Sequence, residues 1–223
     1  MGATKRVMEL ILFHYSNKIS VSSARFANVA FSDGSLLDSF NNRLKKGQPI
    51  SAPNDVKRYF MSAAEAGELC LFSTLFGKNR EIYFPKLSKD HLESFKSIAE
   101  KFLKENGYEP YPCNENEAKK KITKLVMKKK WPCVFNKSNT TGEKMIEEFY
   151  SISDQLDNNS YDKIAFIKNK LIRKQKDLKE FLNHLINNNQ KLNLSKQKLI
   201  KIFKKIIPEF THFEFESNLD EKM

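Results

Sequence analysis

Two charged side chains in the first sixty residues have the type and setting to hold a ligand. Lys5 follows Met1 by four positions and heads an apolar-periodic run, Val7, Met8, Leu10, Ile11, Phe13 and Tyr15. Residues four apart share one face of a helix, so Met1 and Lys5 would stand one above the other. Methionine cannot transfer a proton, so such a pair offers a charge beside an apolar surface and no acid–base couple. On spacing alone, an initiator methionine next to a solvated first-turn lysine is the competing reading. Arg58 lies in the apolar stretch Lys57-Arg58-Tyr59-Phe60-Met61, where a charge needs a partner. Its planar fork of donors grips paired anionic oxygens better than lysine does. The turn Ser32-Asp33-Gly34-Ser35 precedes Leu36-Leu37-Asp38-Ser39-Phe40. Asp33 or Ser35 is a candidate N-cap there, and the helix N-terminus offers free backbone N–H groups to an anion.

The elements that would carry these groups alternate between short strands and helices, the pattern of a parallel α/β fold. Met1 to about Tyr15 reads as a helix, and Lys18 to Asn28 as a buried strand. Strands follow at Ile50-Ser51 and Lys57 to Met61. A helix from about Ser62 to Phe76 is stopped by Gly77. Glu81-Ile82-Tyr83-Phe84 is a strand ended by Pro85, and Ser94 to Asn106 an amphipathic helix closed by Gly107. The composition shifts from about Tyr108. Glu115 to Lys130 is a lysine-rich helical stretch, Trp131 to Phe135 a strand, and Thr140 to Lys144 a turn into a helix reaching Phe149. Asp154 to Ser160 reads as a polar loop and Ile164 to Ile167 as a short strand. Helices near Lys174 to Asn187 and Ser195 to Ile207 complete the chain, the second stopped by Pro208.

In order along the chain, five segments resemble one family. Met1-Gly2-Ala3-Thr4-Lys5-Arg6 is similar to the catalytic helix of the extended short-chain dehydrogenase/reductases, in the CapD-like polysaccharide-biosynthesis branch that carries methionine in place of the catalytic tyrosine. Members of that branch are UDP-N-acetylglucosamine 4,6-dehydratases. Arg25-Phe26-Ala27-Asn28-Val29 with Ser32, Gly34 and Ser35 resembles the next family segment. Gln48-Pro49-Ile50 with Arg58-Tyr59-Phe60-Met61 resembles the third, Glu81 to Lys86 the fourth, and Gly142-Glu143-Lys144 with Glu147-Glu148 the fifth. In the fifth, the family's Arg-Pro is Thr140-Thr141 here. The resemblance implies Met1 and Lys5 at the catalytic positions, with Lys5 on the cofactor ribose. It implies Asn28, Ser35, Arg58 and Lys86 as substrate contacts, with Arg58 clamping the pyrophosphate. The implied reaction oxidises C4 of the sugar with NAD(P), eliminates water across C5 and C6, and returns the hydride to C6.

The seven glycines are Gly2, Gly34, Gly47, Gly67, Gly77, Gly107 and Gly142, and no two are spaced G-x-G. A dinucleotide turn needs such glycines between strand and helix, so the NAD(P)-binding motif is not in this sequence. The expectation is therefore the C-terminal part of a Rossmann-like extended fold, the last parallel strands plus a substrate lobe, with a mostly helical C-terminal elaboration. Residues 1–107 would hold the catalytic helix and substrate-binding part, and 108–223 the continuation and helical extension. The N-terminal dinucleotide-binding half would be absent and the chain inactive alone. A separate N-terminal half or a homo-oligomer would complete it.

The net charge of +12 raises polyanions as partners, but only six of the 39 basic residues are arginines. No RNA-binding motif accompanies them, which disfavours nucleic acid. Cys70, Cys113 and Cys133 have no C-x-x-C spacing, and His14, His91, His184 and His212 form no H-x-x-x-H pair. That pattern argues against a zinc site or disulfide scaffold and for reduced thiols in a cytoplasm. No apolar run approaches the ~20 residues that span a bilayer. The rival to a dehydratase is a noncatalytic module that binds a nucleotide sugar or any polyanion.

Overall fold

The computed structural model describes residues 2–138, 143–168, 175–187, 194–207 and 209–212. In chain order the elements begin with α1 (Gly2–His14), β1 (Ser22–Ala24), β2 (Asn28–Val29) and α2 (Leu36–Lys45). They continue with β3 (Ile50–Pro53), β4 (Lys57–Arg58), β5 (Phe60–Met61), α3 (Ala63–Phe76) and β6 (Glu81–Pro85). Next come β7 (Glu93–Ser94), α4 (Phe95–Glu105), β8 (Glu109–Pro112), α5 (Glu115–Val126) and β9 (Lys130–Asn136). The last four are β10 (Leu156–Asp157), β11 (Ile164–Lys168), α6 (Gln175–Asn187) and α7 (Lys196–Ile206). The fold is mixed α/β, with parallel and antiparallel strand pairs. Contacts divide it into two compact units, one drawn from Met1–Arg25, Leu69–Phe84 and Tyr150–Phe213, the other from Phe26–Glu68 and Pro85–Phe149.

The first unit is built on a sheet of order β1-β6-β11-β10, with β1 parallel to β6 and β10 antiparallel to β11. Strand β6 is buried from Glu81 to Phe84, its apolar Ile82-Tyr83-Phe84 run suiting an interior strand. Tyr83 stacks on Phe166 at 5.1 Å, and Leu69 joins them in a small core. Burial, then the Glu81 carboxylate, pushes the Tyr83 phenol well above its ordinary range. Gly77 is required where α3 ends: a Cβ there would lie 2.6 Å from the Ser22 Cβ of β1. Helix α1 buries Val7, Leu10 and Phe13, three apart on one stripe. Val7 and Leu10 meet Leu178 and Phe181 of α6 and Ile206 at the end of α7.

The second unit centres on the parallel sheet β3-β9-β8, with Ile50 opposite Cys133 and Glu109 opposite Lys130. Its core joins Leu37 and Phe40 of α2 to Ile50, Leu103, Trp131 and Cys133. The Trp131 indole donates to the Gln48 carbonyl at 3.0 Å, so burying the ring leaves no stranded N–H. Helix α4 starts at its N-cap Ser94, whose hydroxyl accepts from Ser97 N, and is followed by Gly107 at φ 78°.

Several elements depart from the sequence reading. Lys18 to Asn28 is not one buried strand. Arg25 N still bonds Tyr83 O beside β6, but Asn28 N bonds Tyr59 O, so β1 and β2 join different sheets. Lys57 to Met61 is likewise divided at Tyr59, with β4 antiparallel to β7 and β5 parallel to β2. Residues 143–149 are not helical: Lys57 N bonds Met145 O, and Lys57 bridges Ile146 in parallel. Strand β8 was not anticipated, and β10 lies inside the expected polar loop. Met1, the turn at Thr140 to Gly142, and Pro208 lie outside the described residues.

Candidate functional site

In the second unit, three segments far apart in sequence meet around the short strands β2, β4 and β5. Asn28 opens β2 and is paired with Phe60 of β5, which fixes its backbone. Its side-chain amide donates to Glu147 Oε2 at 3.5 Å. Arg58 ends β4, and its guanidinium donates from Nη1 to Lys57 O at 2.8 Å and to Met145 O at 3.4 Å. From Nη2 it reaches Glu143 Oε1 at 3.4 Å, the two side chains being 13% and 18% exposed. The guanidinium also lies 5.7 Å from the centroid of the Phe95 ring. Segment 143–149 is held from both ends of this patch. Ser138 Oγ donates a short hydrogen bond to Glu143 Oε2, and the Phe149 ring lies 5.7 Å from that of Tyr59. Strand alternation sends Arg58 and Tyr59 to opposite faces.

Chemically, this patch holds one guanidinium, one carboxamide and two carboxylates. A guanidinium has five N–H donors, and the two 3.4 Å contacts are long for charge-assisted bonds. Arg58 can therefore exchange Glu143 for stronger anionic oxygens without leaving its place. Ser35 stands in the same unit as N-cap of α2, accepting from Asp38 N at 3.2 Å. That uses an acceptor lone pair and leaves its O–H to donate. Lys86 is half-buried just beyond β6. Sequence reasoning singled out neither Glu143 nor Glu147 as a partner of Arg58 and Asn28. Both glutamates lie in the fifth motif, but that segment reads from sequence as a turn into a helix reaching Phe149.

Lys5 lies in the first unit, exposed on α1. One turn further along α1, Glu9 accepts from Arg25 Nε at 2.8 Å, from Arg25 Nη2 at 2.8 Å and from Arg6 Nη1 at 2.8 Å. Burial raises the Glu9 pKa, but the bonds and charges of Arg25 and then Arg6 outweigh it, holding the carboxyl below its usual range. The motif arginine Arg25 thus ties β1 to α1.

Among the described residues, no group of three His, Cys, Asp or Glu side chains could hold a metal ion. The described glycines do not fit the pyrophosphate of NAD(P) either. Gly34 stands alone between β2 and α2, Gly47, Gly77 and Gly107 follow helices, and Gly2 and Gly67 lie within them. Among the described residues, no helix is long and apolar enough to cross a membrane.

A family model described as "Polysaccharide biosynthesis protein" matches residues 1–169, spanning all five motif segments. The chain is 28% identical over 208 residues to the capsular polysaccharide biosynthesis protein CapD of Staphylococcus aureus, covering 91% of this chain and 30% of CapD. It is 34% identical over 86 residues to the probable polysaccharide biosynthesis protein EpsC of Bacillus subtilis, 37% of this chain and 14% of EpsC. The chain thus spans less than a third of the length of either relative. The X-ray structure of Pen from Bacillus thuringiensis shares its fold, with TM-score 0.57 and 21% identity, over 85% of this chain and 58% of Pen. With more than half of its length matched by that family model, the chain belongs to the polysaccharide biosynthesis protein family.

Proposed function

We propose that this chain provides the sugar-nucleotide side of a nucleotide-sugar 4,6-dehydratase of glycan biosynthesis, with UDP-N-acetylglucosamine as its substrate. The nicotinamide cofactor would be held chiefly by residues outside this sequence, Lys5 being the one cofactor-side group within it. A separate N-terminal half or an assembly of copies would bring the cofactor to it. A reducing cytoplasm suits the three unbridged thiols.

One observation carries the reading: Asn28, Arg58 and segment 143–149, from three separate family motifs, converge on one patch. On this reading Arg58 releases Glu143 and takes the diphosphate in a forked pair of charge-assisted bonds. Asn28 bonds a sugar or phosphate oxygen, the Ser35 hydroxyl and the α2 N-terminus lend further donors, and Lys86 adds positive charge.

Calorimetric titration of the purified chain with UDP-N-acetylglucosamine, UMP and heparin tests this. The expected order is UDP-N-acetylglucosamine ahead of UMP, with a modest salt slope. Equal binding of any polyanion, falling steeply with salt, would contradict it and favour charge-driven association. Sugar dehydration by the chain alone with added NAD would overturn the assignment of the cofactor to other residues.

A further inference from the structure

We infer that Phe31 is the stacking surface for the pyrimidine ring of the bound sugar nucleotide, an assignment that rests on the reading just given. Among the described residues, three non-glycine residues adopt positive φ: Phe31 at 58°, Arg80 at 71° and Lys129 at 57°. For two of them, bonds and ring contacts account for the conformation. Arg80 N donates to Val21 O at 2.7 Å, and its guanidinium reaches Ser16 Oγ and Asn17 Oδ1. Lys129 turns the chain from α5 to β9, accepts from Glu109 N at 2.8 Å, and sets its ammonium 5.6 Å from the Tyr108 ring centroid.

At Phe31 the bond from Ser32 N to Val29 O at 3.3 Å closes the backbone turn, but among the described residues no ring or cation contact accounts for the side chain. A bulky side chain is disfavoured in the left-handed region, and here its ring is also left 55% exposed to water. Among the described residues, its ring meets no other aromatic ring. Yet the conformation is held. Just before it, Ala30 N bonds Met61 O at 2.9 Å. Just after it, Ser32 Oγ donates to Val29 O at 2.9 Å, and Ser35 N bonds Ser32 O at 2.9 Å. Where this loop needs a left-handed residue at its far side it uses Gly34, at φ 69°. A strained, exposed aromatic fixed between two bonded neighbours is a side chain kept for contact with something outside the fold.

Its position says what that is. Phe31 lies three residues beyond Asn28 and four before Ser35, between two residues assigned to the ligand. A sugar nucleotide presents a diphosphate, sugar hydroxyls and one flat apolar face. Arg58, Asn28 and Ser35 answer the first two, and none of them offers a surface to the base. An aromatic ring supplies it, because every base has a π face.

The test is calorimetry on the full chain and its Phe31→Asn and Phe31→Tyr variants, with UDP-N-acetylglucosamine and inorganic pyrophosphate as probes. Phe31→Asn should weaken UDP-N-acetylglucosamine binding about tenfold or more and leave pyrophosphate unchanged. Asparagine tolerates the left-handed region, so the same variant should unfold at a higher temperature than the parent. Phe31→Tyr should bind the sugar nucleotide within about twofold of the parent, as a ring of similar face should. Phe31→Asn binding as tightly as the parent, or losing affinity together with thermal stability, would overturn the assignment. Loss of the stacking effect with pyrophosphate binding intact would leave the Arg58 site standing. A parent chain that binds neither probe would bring down that site and this proposal together.

Discussion

Replacing Arg58 by alanine separates a residue that grips a ligand from one that only pins a segment. The structural contribution follows from its contacts. The Phe95 ring at 5.7 Å gives a cation–π term of about 0.5–1 kcal/mol. The Glu143 contact at 3.4 Å is long, and Glu143 keeps its bond from Ser138 when it is lost, so it adds only about 0.5–1 kcal/mol. The bond to the neighbouring Lys57 carbonyl is local and adds little. Arg58→Ala should therefore cost about 1–2 kcal/mol of stability, a drop of roughly 2–8 °C in unfolding midpoint for a chain of this size. The ligand effect is larger. Losing a forked pair of charge-assisted bonds to diphosphate costs about 1.5–3 kcal/mol, roughly tenfold to a hundredfold in Kd. Arg58→Lys, which keeps charge without the fork, should fall between. Differential scanning fluorimetry and calorimetric titration on the three proteins give both numbers. If Arg58→Ala lowers the midpoint as expected but leaves Kd for UDP-N-acetylglucosamine unchanged, Arg58 is only a clamp on segment 143–149, and the ligand role fails.

Other expectations follow from the remaining contacts. Glu9→Gln leaves two half-buried arginines without their carboxylate and should cost about 2 kcal/mol, between the values for surface and buried pairs, as read by urea unfolding at neutral pH. Because the folded pKa of Glu9 is lowered, its contribution is present above the unfolded carboxylate value and disappears as pH falls through the lower, folded one. The parent should therefore lose more stability on acidification than Glu9→Gln does, and parallel acid curves would contradict the pairing. Ser35→Ala removes the cap on α2 and should cost about 1 kcal/mol by the same assay; no change would mean that Asp38 N finds another partner. The Cys133 thiol, pushed up to about 12 by burial, should resist iodoacetamide at pH 8 while exposed Cys70 reacts; equal labelling would contradict that core.

The sequence was most legible where local chemistry decides the backbone. Gly77 and Gly107 mark the ends of α3 and α4, Ser35 and Ser94 cap α2 and α4, and Pro85 closes β6. It was least legible where the partner of a strand decides. Nothing local in Lys57 to Met61 announces that the ladder changes partner at Tyr59, because the two partner strands, β7 and β2, are both distant in sequence. Segment 143–149 carries the four-residue charge spacing of a helix, and Lys144 does pair with Glu148 at 2.7 Å. Its backbone is nevertheless committed to Lys57, so a long-range bond overrode a local preference. The candidate site was half visible for the same reason. Asn28 and Arg58 stand out by type and motif, whereas their carboxylate partners lie 119 and 85 residues away. The bond between Glu9 and Arg25 was hidden similarly, since a strand end and a helix face must fold before they meet.

Hydrogen–deuterium exchange of the chain with and without UDP-N-acetylglucosamine tests the central claim most directly. If Asn28, Arg58 and segment 143–149 form one binding place, amides of 28–35, 57–61 and 143–149 should gain protection together, at a single ligand concentration. Protection confined to the lysine-rich helix α5, or none in those three stretches at saturating ligand, would contradict it.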